Sequence, residues 1–168
     1  MHRSRGFTLI EILVVIGMLA ILSTIVLVAM NTLRQFVQAR NTERQSDVAA
    51  VLNAISERIA DNGGNFAIAN DSGGCTQELP STTTDIANGD SNGFDLRPCL
   101  VSTYLSELPK DPSNGVNTCT TATCTGAGEG YDLKYYVKED PVTHRVTMCA
   151  PGAAETAIPG STSFCLSR

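Results

Sequence analysis

The chain has 168 residues, of which 42% are hydrophobic, 17% charged and 5% aromatic, with no Trp and a formal net charge of −5. That length suits one ordinary domain. The acidic balance argues against bulk nucleic-acid contact, leaving at most a local patch at Lys134, Lys138 and Arg145. The averages conceal an uneven distribution. Residues 12–33 form a run of 22 without a charge, whereas residues 62–168 carry twelve acidic and six basic side chains. So long an apolar run exceeds what a water-soluble helix buries on one face, which excludes a plain soluble globule.

The amino terminus opens with the short basic stretch MHRSRG and meets the apolar run at Phe7. As a helix, residues 12–33 span roughly 33 Å, enough for a bilayer core. A secretory signal peptide is the first alternative. Its apolar core usually has ~7–15 residues before a small-residue cleavage site, and no convincing A-x-A site precedes Arg34. Arg3 and Arg5 favour a cytoplasmic amino terminus, but Arg34, Arg40 and Arg44 follow the span closely, so charge alone leaves the orientation open.

Glu11 breaks the apolar stretch. An ionised carboxylate costs about 2.5–3.5 kcal/mol near a bilayer centre and less near an interface, so a partner is expected. Cleavage after Gly6 would supply one, because a new α-amino group on Phe7, with an ordinary pKa of ~7.7–8.0, would be largely protonated. It lies four residues before Glu11, which on a helix is the same face.

Arg5-Gly6-Phe7-Thr8-Leu9-Ile10-Glu11, followed by ILVVIGMLAIL, resembles the processing signal of type IV prepilins and type II secretion pseudopilins. The resemblance implies cleavage between Gly6 and Phe7 by a prepilin peptidase that also methylates the Phe7 amine. It further implies that Glu11 pairs with the Phe7 amine of a neighbouring copy as a homo-oligomeric filament grows on inner-membrane assembly machinery. The chain would then sit in the bacterial inner membrane, single-pass with its head outside the cytoplasm, before entering a pilus or pseudopilus. After cleavage 162 residues would remain, with a formal side-chain charge of −7. The other class of reading is a membrane-tethered module that binds a ligand through its loops.

Beyond the apolar run, residues 34–61 lack Pro and Gly, and Val48, Leu52, Ile55 and Ile59 form one apolar stripe. Residues 38–47 read as polar all round, and Asn62-Gly63-Gly64 supplies a stop. The pattern predicts one continuous helix from Phe7 to about Asp61, roughly 80 Å long. Residues 65–92 read as a connecting loop with little core-forming capacity. Cys99–Leu108 reads as a short helix or irregular turn ended by prolines. Tyr131, Leu133, Tyr135 and Val137 alternate with polar residues as a period-two strand. Glu139-Asp140-Pro141 turns it, and His144–Cys149 returns. The expected fold is α+β and pilin-like, a long N-terminal helix packed on a small antiparallel sheet. Its divisions are a leader at 1–6, a membrane and assembly helix at 7–33, an amphipathic continuation at 34–61 and a head at 62–168. Leu108-Pro109-Lys110-Asp111-Pro112, the Tyr-rich strand and Phe164-Cys165-Leu166 also resemble, more loosely, the carboxy-terminal half of small bacterial pilins and major pseudopilins.

Cys75, Cys99, Cys119, Cys124, Cys149 and Cys165 all follow the span, as expected of an exported domain in an oxidising space. Six cysteines allow 15 pairings, and the pattern alone does not choose. The expectation carried forward is the sequential set, 75–99, 119–124 and 149–165. The last bridge would staple the tail as the carboxy-terminal loop does in many type IV pilins. Zinc on Cys119 and Cys124 is the competing reading, but it lacks the usual ligand spacing and a nearby His. Asn88, Asp90 and Asn92 resemble the start of a calcium loop, yet the twelfth position is Cys99 rather than Glu, and a solvated acidic turn is the alternative. No cofactor is implied. Of the two histidines, His2 lies in the leader and His144 on the return strand, and no nucleophile, phosphate-loop or paired-carboxylate motif appears, so no enzyme is expected.

Overall fold

The computed structural model describes residues 6–29, 32–69, 71, 73–88, 93–121 and 124–168. The chain divides into two compact units, Met1–Phe36 and Val37–Arg168. The first contains helix α1, Leu9–Ala29. Every described side chain from Phe7 to Val26 is solvent-exposed in the single chain. Its polar interruptions are satisfied locally. The hydroxyl of Ser23 donates to the Leu19 carbonyl at 2.7 Å and that of Thr24 to the Ala20 carbonyl at 2.9 Å. Such back-bonding lets a hydroxyl sit on an apolar helix without an unpaired donor. The expected continuity from Phe7 to Asp61 includes Met30 and Asn31, which lie outside the described residues.

Helix α2 runs Thr32–Asp61, and its portion from Val37 onward belongs to the second unit. It ends in a paired cap: the Gly64 N–H donates to the Ile59 carbonyl at 2.8 Å and the Gly63 N–H to the Ala60 carbonyl at 3.3 Å. Both glycines have positive φ, +102° and +66°, which is why the stop is built from Gly. Val48, Leu52 and Ile55 are buried as the stripe predicts, with Val51 and Ala54 beside them and Ile59 packed at the margin.

That face covers an antiparallel sheet in the order β1-β3-β4-β5, with β2 also pairing β3. The strands are β1 Thr84–Ala87, β2 Val116–Asn117, β3 Tyr131–Glu139, β4 Val146–Ala150 and β5 Phe164–Ser167. A short helix α3, Arg97–Leu100, precedes β2. In β3, Tyr131, Leu133, Tyr135 and Val137 are buried while the intervening residues face outward, so the alternation correctly marks the core side. Val146, Met148 and Ala150 of β4 continue that layer.

Two expectations need correction. The segment 65–92 is not a coreless loop: Phe66, Cys75, Leu79, Ile86 and Ala87 are buried, and β1 pairs with β3 through Thr84–Val137 and Asp85–Tyr136. A four-residue strand with one bulge is too short to show an alternation in sequence. His144 lies in the β3–β4 turn rather than on the return strand, at φ +54°, with its N–H donated to the Asp140 carbonyl. Leu52 touches the middle of this core and has no exposure. Leu52→Ala is expected to destabilise the head by about 2–5 kcal/mol. The check is near-ultraviolet circular dichroism of the detergent-solubilised full chain during thermal unfolding, where an unchanged midpoint would contradict the packing.

Candidate functional site

The N-terminal segment is organised around the start of α1. Thr8 is the residue before the helix. Its Oγ1 accepts from the Glu11 N–H at 3.3 Å, and the Glu11 Oε2 accepts from the Thr8 N–H and Oγ1 at 3.4 Å each. This is a reciprocal capping box, Thr-x-x-Glu: it satisfies the Thr8 N–H, while the Glu11 N–H is shared between Thr8 Oγ1 and the Thr8 carbonyl, the latter at 3.1 Å. Phe7 precedes the cap and is 81% exposed. The helical i, i+4 relation between Phe7 and Glu11 therefore does not hold in the unprocessed chain, where Glu11 is turned onto Thr8. Glu11 also sits in the first turn, at the positive end of the helix dipole. A Cβ built on Gly6 meets nothing within 4 Å. Among the described residues, no packing contact requires glycine there.

The other sequence candidates are scattered through the head. Asp90 and Asn92 lie outside the described residues. Asn88 is engaged with protein, its Oδ1 accepting the Tyr131 N–H at 2.6 Å and its Nδ2 donating to the Cys124 carbonyl at 3.4 Å. No group of three or more His, Cys, Asp or Glu side chains able to hold a metal occurs among the described residues. The structure bonds Cys75 to Cys99, Cys119 to Cys124 and Cys149 to Cys165. Bonded sulfurs are not thiolate ligands, which removes the zinc reading at Cys119 and Cys124. Cys149 and Cys165 face each other across the β4–β5 ladder, so the tail is held as the outermost strand of the sheet. His144 is exposed, with Nδ1 2.8 Å from Glu139 Oε1.

The most heavily determined site in the head is one that polarity concealed. Arg44, expected on a polar face, is 1% exposed, as is its partner Asp111. All five guanidinium N–H directions are used. Nε and Nη2 donate to the two Asp111 oxygens at 2.7 and 3.2 Å, Nη2 also to Ser113 Oγ at 2.8 Å, and Nη1 to Asn41 Oδ1 and Glu155 Oε1 at 2.7 Å each. Arg40 pairs with the same Glu155, its Nε reaching Oε1 at 2.9 Å. Burial alone would push the Asp111 carboxyl up. Hydrogen bonds from Arg44 and from the Ser113 and Asn114 amides outweigh it and hold the group below its ordinary range. Glu155 is also held down, first by its bond to Arg40 and then by Arg44. A Cβ at Gly152 would come within 2.5 Å of Asp111 Oδ2, and one at Gly115 within 2.5 Å of the Asp111 nitrogen. The site therefore leaves no room for a side chain at either glycine. The available signal was spacing: Val37, Arg44, Val48 and Val51 fall on one helical stripe.

Two further buried arginines repeat the device. Arg58 donates to the carbonyls of Phe66 and Cys99 and to Asp71. Arg97 donates to the Thr121 carbonyl and pairs with Glu107.

Residues 1–27 match a family model described as the prokaryotic N-terminal methylation motif. This is the prepilin-type cleavage and methylation signal of type IV pilins and pseudopilins. No curated protein and no solved structure matches the chain. The described architecture, an apolar N-terminal helix followed by a second helix and a five-stranded antiparallel sheet, is an α+β pilin-like layout.

Because Asp111 and Glu155 have depressed pKa values when folded, their contribution is fully present above the unfolded carboxylate range, about pH 4, and is lost as pH falls through the lower folded values. The head should therefore hold its thermal midpoint from pH 7 to 5 and lose it below about pH 4. Arg44→Ala leaves Asp111 buried without its counter-charge and is expected to cost about 3–5 kcal/mol. Arg44→Met with Asp111→Leu should recover much of that, whereas a double variant as unstable as the single would contradict the ion-pair assignment.

Proposed function

We propose that the chain is a structural subunit of a type IV pilus-like filament. It is cut between Gly6 and Phe7 by a prepilin peptidase, methylated on the Phe7 amine and assembled through α1. The observation that carries this reading is an apolar helix exposed on every side, started by a capping carboxylate, inside the matched methylation motif. Among the described residues, Leu9–Val26 is long and apolar enough to cross a membrane, a test that a signal sequence also passes. Lipid covers such a surface first, and other copies of the same helix cover it in a filament.

Glu11 sets the axial register. Its capping bonds to Thr8 are long, so the carboxylate can be drawn onto the charged Phe7 amine of a neighbour without losing much. In an apolar bundle a wrong offset leaves that carboxylate unpaired and heavily penalised. The three disulfides support a head in an oxidising space outside the cytoplasm. The motif favours a structural role over an enzymatic one.

Sheared surface filaments, analysed by mass spectrometry, test the reading. An amino-terminal peptide starting at methylated Phe7 in the sheared fraction is expected. The same peptide confined to membranes would move the reading to a periplasmic pseudopilus or a tethered module. Gly6→Ala should leave the precursor mass unshifted, and since alanine meets no obstacle here, that block would report the peptidase's requirement. Glu11→Val should insert and mature but enter filaments about tenfold less, a loss of about 1.4 kcal/mol in assembly. Wild-type incorporation of Glu11→Val would sink the register mechanism.

A further inference from the structure

The head carries a cleft that the N-terminal chemistry does not use. It lies where α2 ends, encloses about 410 Å³, and is floored by Ile59, Phe66 and Leu79. Its rim presents the carboxylates of Glu78 and Glu139 and the imidazole of His144. The protein occupies these groups lightly. Glu78 accepts the Ala67 N–H at 3.4 Å, and Glu139 meets only the exposed His144 ring among its described side-chain partners. Lys138 and Arg145 lie on the adjoining hairpin but do not line the cleft. An apolar floor under two carboxylates suits a long side chain with an aliphatic stem and a cationic tip.

The other end of the head offers one. Lys110 is exposed, sits next to the buried Asp111 that binds Arg44, and has no ion pair among the described residues. Arg40 and Arg44 at that end are already committed to Glu155 and Asp111. Fifteen residues of α2 separate Arg44 from Ile59, about 22 Å of helix, so the cleft and Lys110 lie at opposite ends of one copy. Unlike ends that complement each other make a heterologous contact, and such contacts propagate into open chains of copies rather than closed pairs.

We infer that the Glu78–Glu139 cleft receives Lys110 of a second copy of this chain, as the head-to-head contact that runs along the filament. This rests on the filament reading, and it adds a specific polar lock to an assembly otherwise driven by the apolar stem. The stem supplies most of the attraction and tolerates sliding; a lysine seated between two carboxylates does not.

Zero-length carbodiimide cross-linking of sheared wild-type filaments tests it directly. The expected product is an amide between Lys110 Nζ and the carboxyl of Glu78 or Glu139, recovered as a linked peptide. Since Lys110 adjoins the Arg44 end of the head and both carboxylates line the cleft at the Ile59 end, such a link is expected to join two copies. Lys110→Glu should lower the sheared filament yield about fivefold, and Lys110→Glu with Glu139→Lys should restore most of it. Abundant filaments in which Lys110 never links to either carboxylate, or a Lys110→Glu chain that assembles normally, would overturn the contact while leaving the filament reading intact. A wild-type chain found in no filament would overturn both.

Discussion

The head depends on one buried guanidinium. Arg44 gives all five of its donors to Asp111, Glu155, Asn41 and Ser113, from three separate segments of chain. Taking an ion pair out of water is costly, and the cost is recovered only when geometry is close to ideal and every lone pair and proton is used. Here all five guanidinium donors are used, and Asp111 accepts from Arg44 through both oxygens and from the Ser113 and Asn114 amides through one. The constraint spreads outward from that point. Asp111 is fixed by the amides of its own turn, Gly115 and Gly152 are required by the lack of space around it, and Glu155 draws Arg40 into the same network.

Such a device suits this composition. The head has little aromatic mass and long stretches of Gly, Ser, Thr and Asn, which bury little apolar area per ordered residue. Arg44, Arg58 and Arg97 each reach across to loop carbonyls or carboxylates, and three disulfides limit the freedom of the unfolded loops. Directional bonds hold one loop arrangement where a small hydrophobic core would tolerate several. The N-terminal helix is the opposite material, apolar on all sides and, among the described residues, with side-chain hydrogen bonds only at its cap and at two back-bonded hydroxyls. One material is suited to lipid and to copies of itself, the other to water.

The legible parts of the fold were those with long, regular patterns. The uncharged run of α1, the stripe of Val48, Leu52 and Ile55, the Asn-Gly-Gly stop and the alternation of β3 each announce one physical periodicity. Strands β1, β2 and β5 have four, two and four residues, too few for a period to emerge, and their existence depends on partners far away in sequence. Arg44 was hidden for a different reason. A charged residue is ordinarily solvated, and only the tertiary placement of Asp111, 67 residues away, makes its burial possible. At the amino terminus, Phe7 and Glu11 are near neighbours in sequence, but the helix starts between them, and the cap residue Thr8 takes the carboxylate in the single chain.

The unit of function in this reading is an assembled copy: a cut and methylated stem inside a filament, carrying a head locked by Arg44. Helical reconstruction of sheared filaments by electron cryomicroscopy measures this most directly. The expected map starts at Phe7, packs α1 in the filament interior with Glu11 beside a neighbour's amine, and retains the Arg44–Asp111 pair in every head. Filaments that contain no copy of this chain, or copies that still carry residues 1–6, would contradict it.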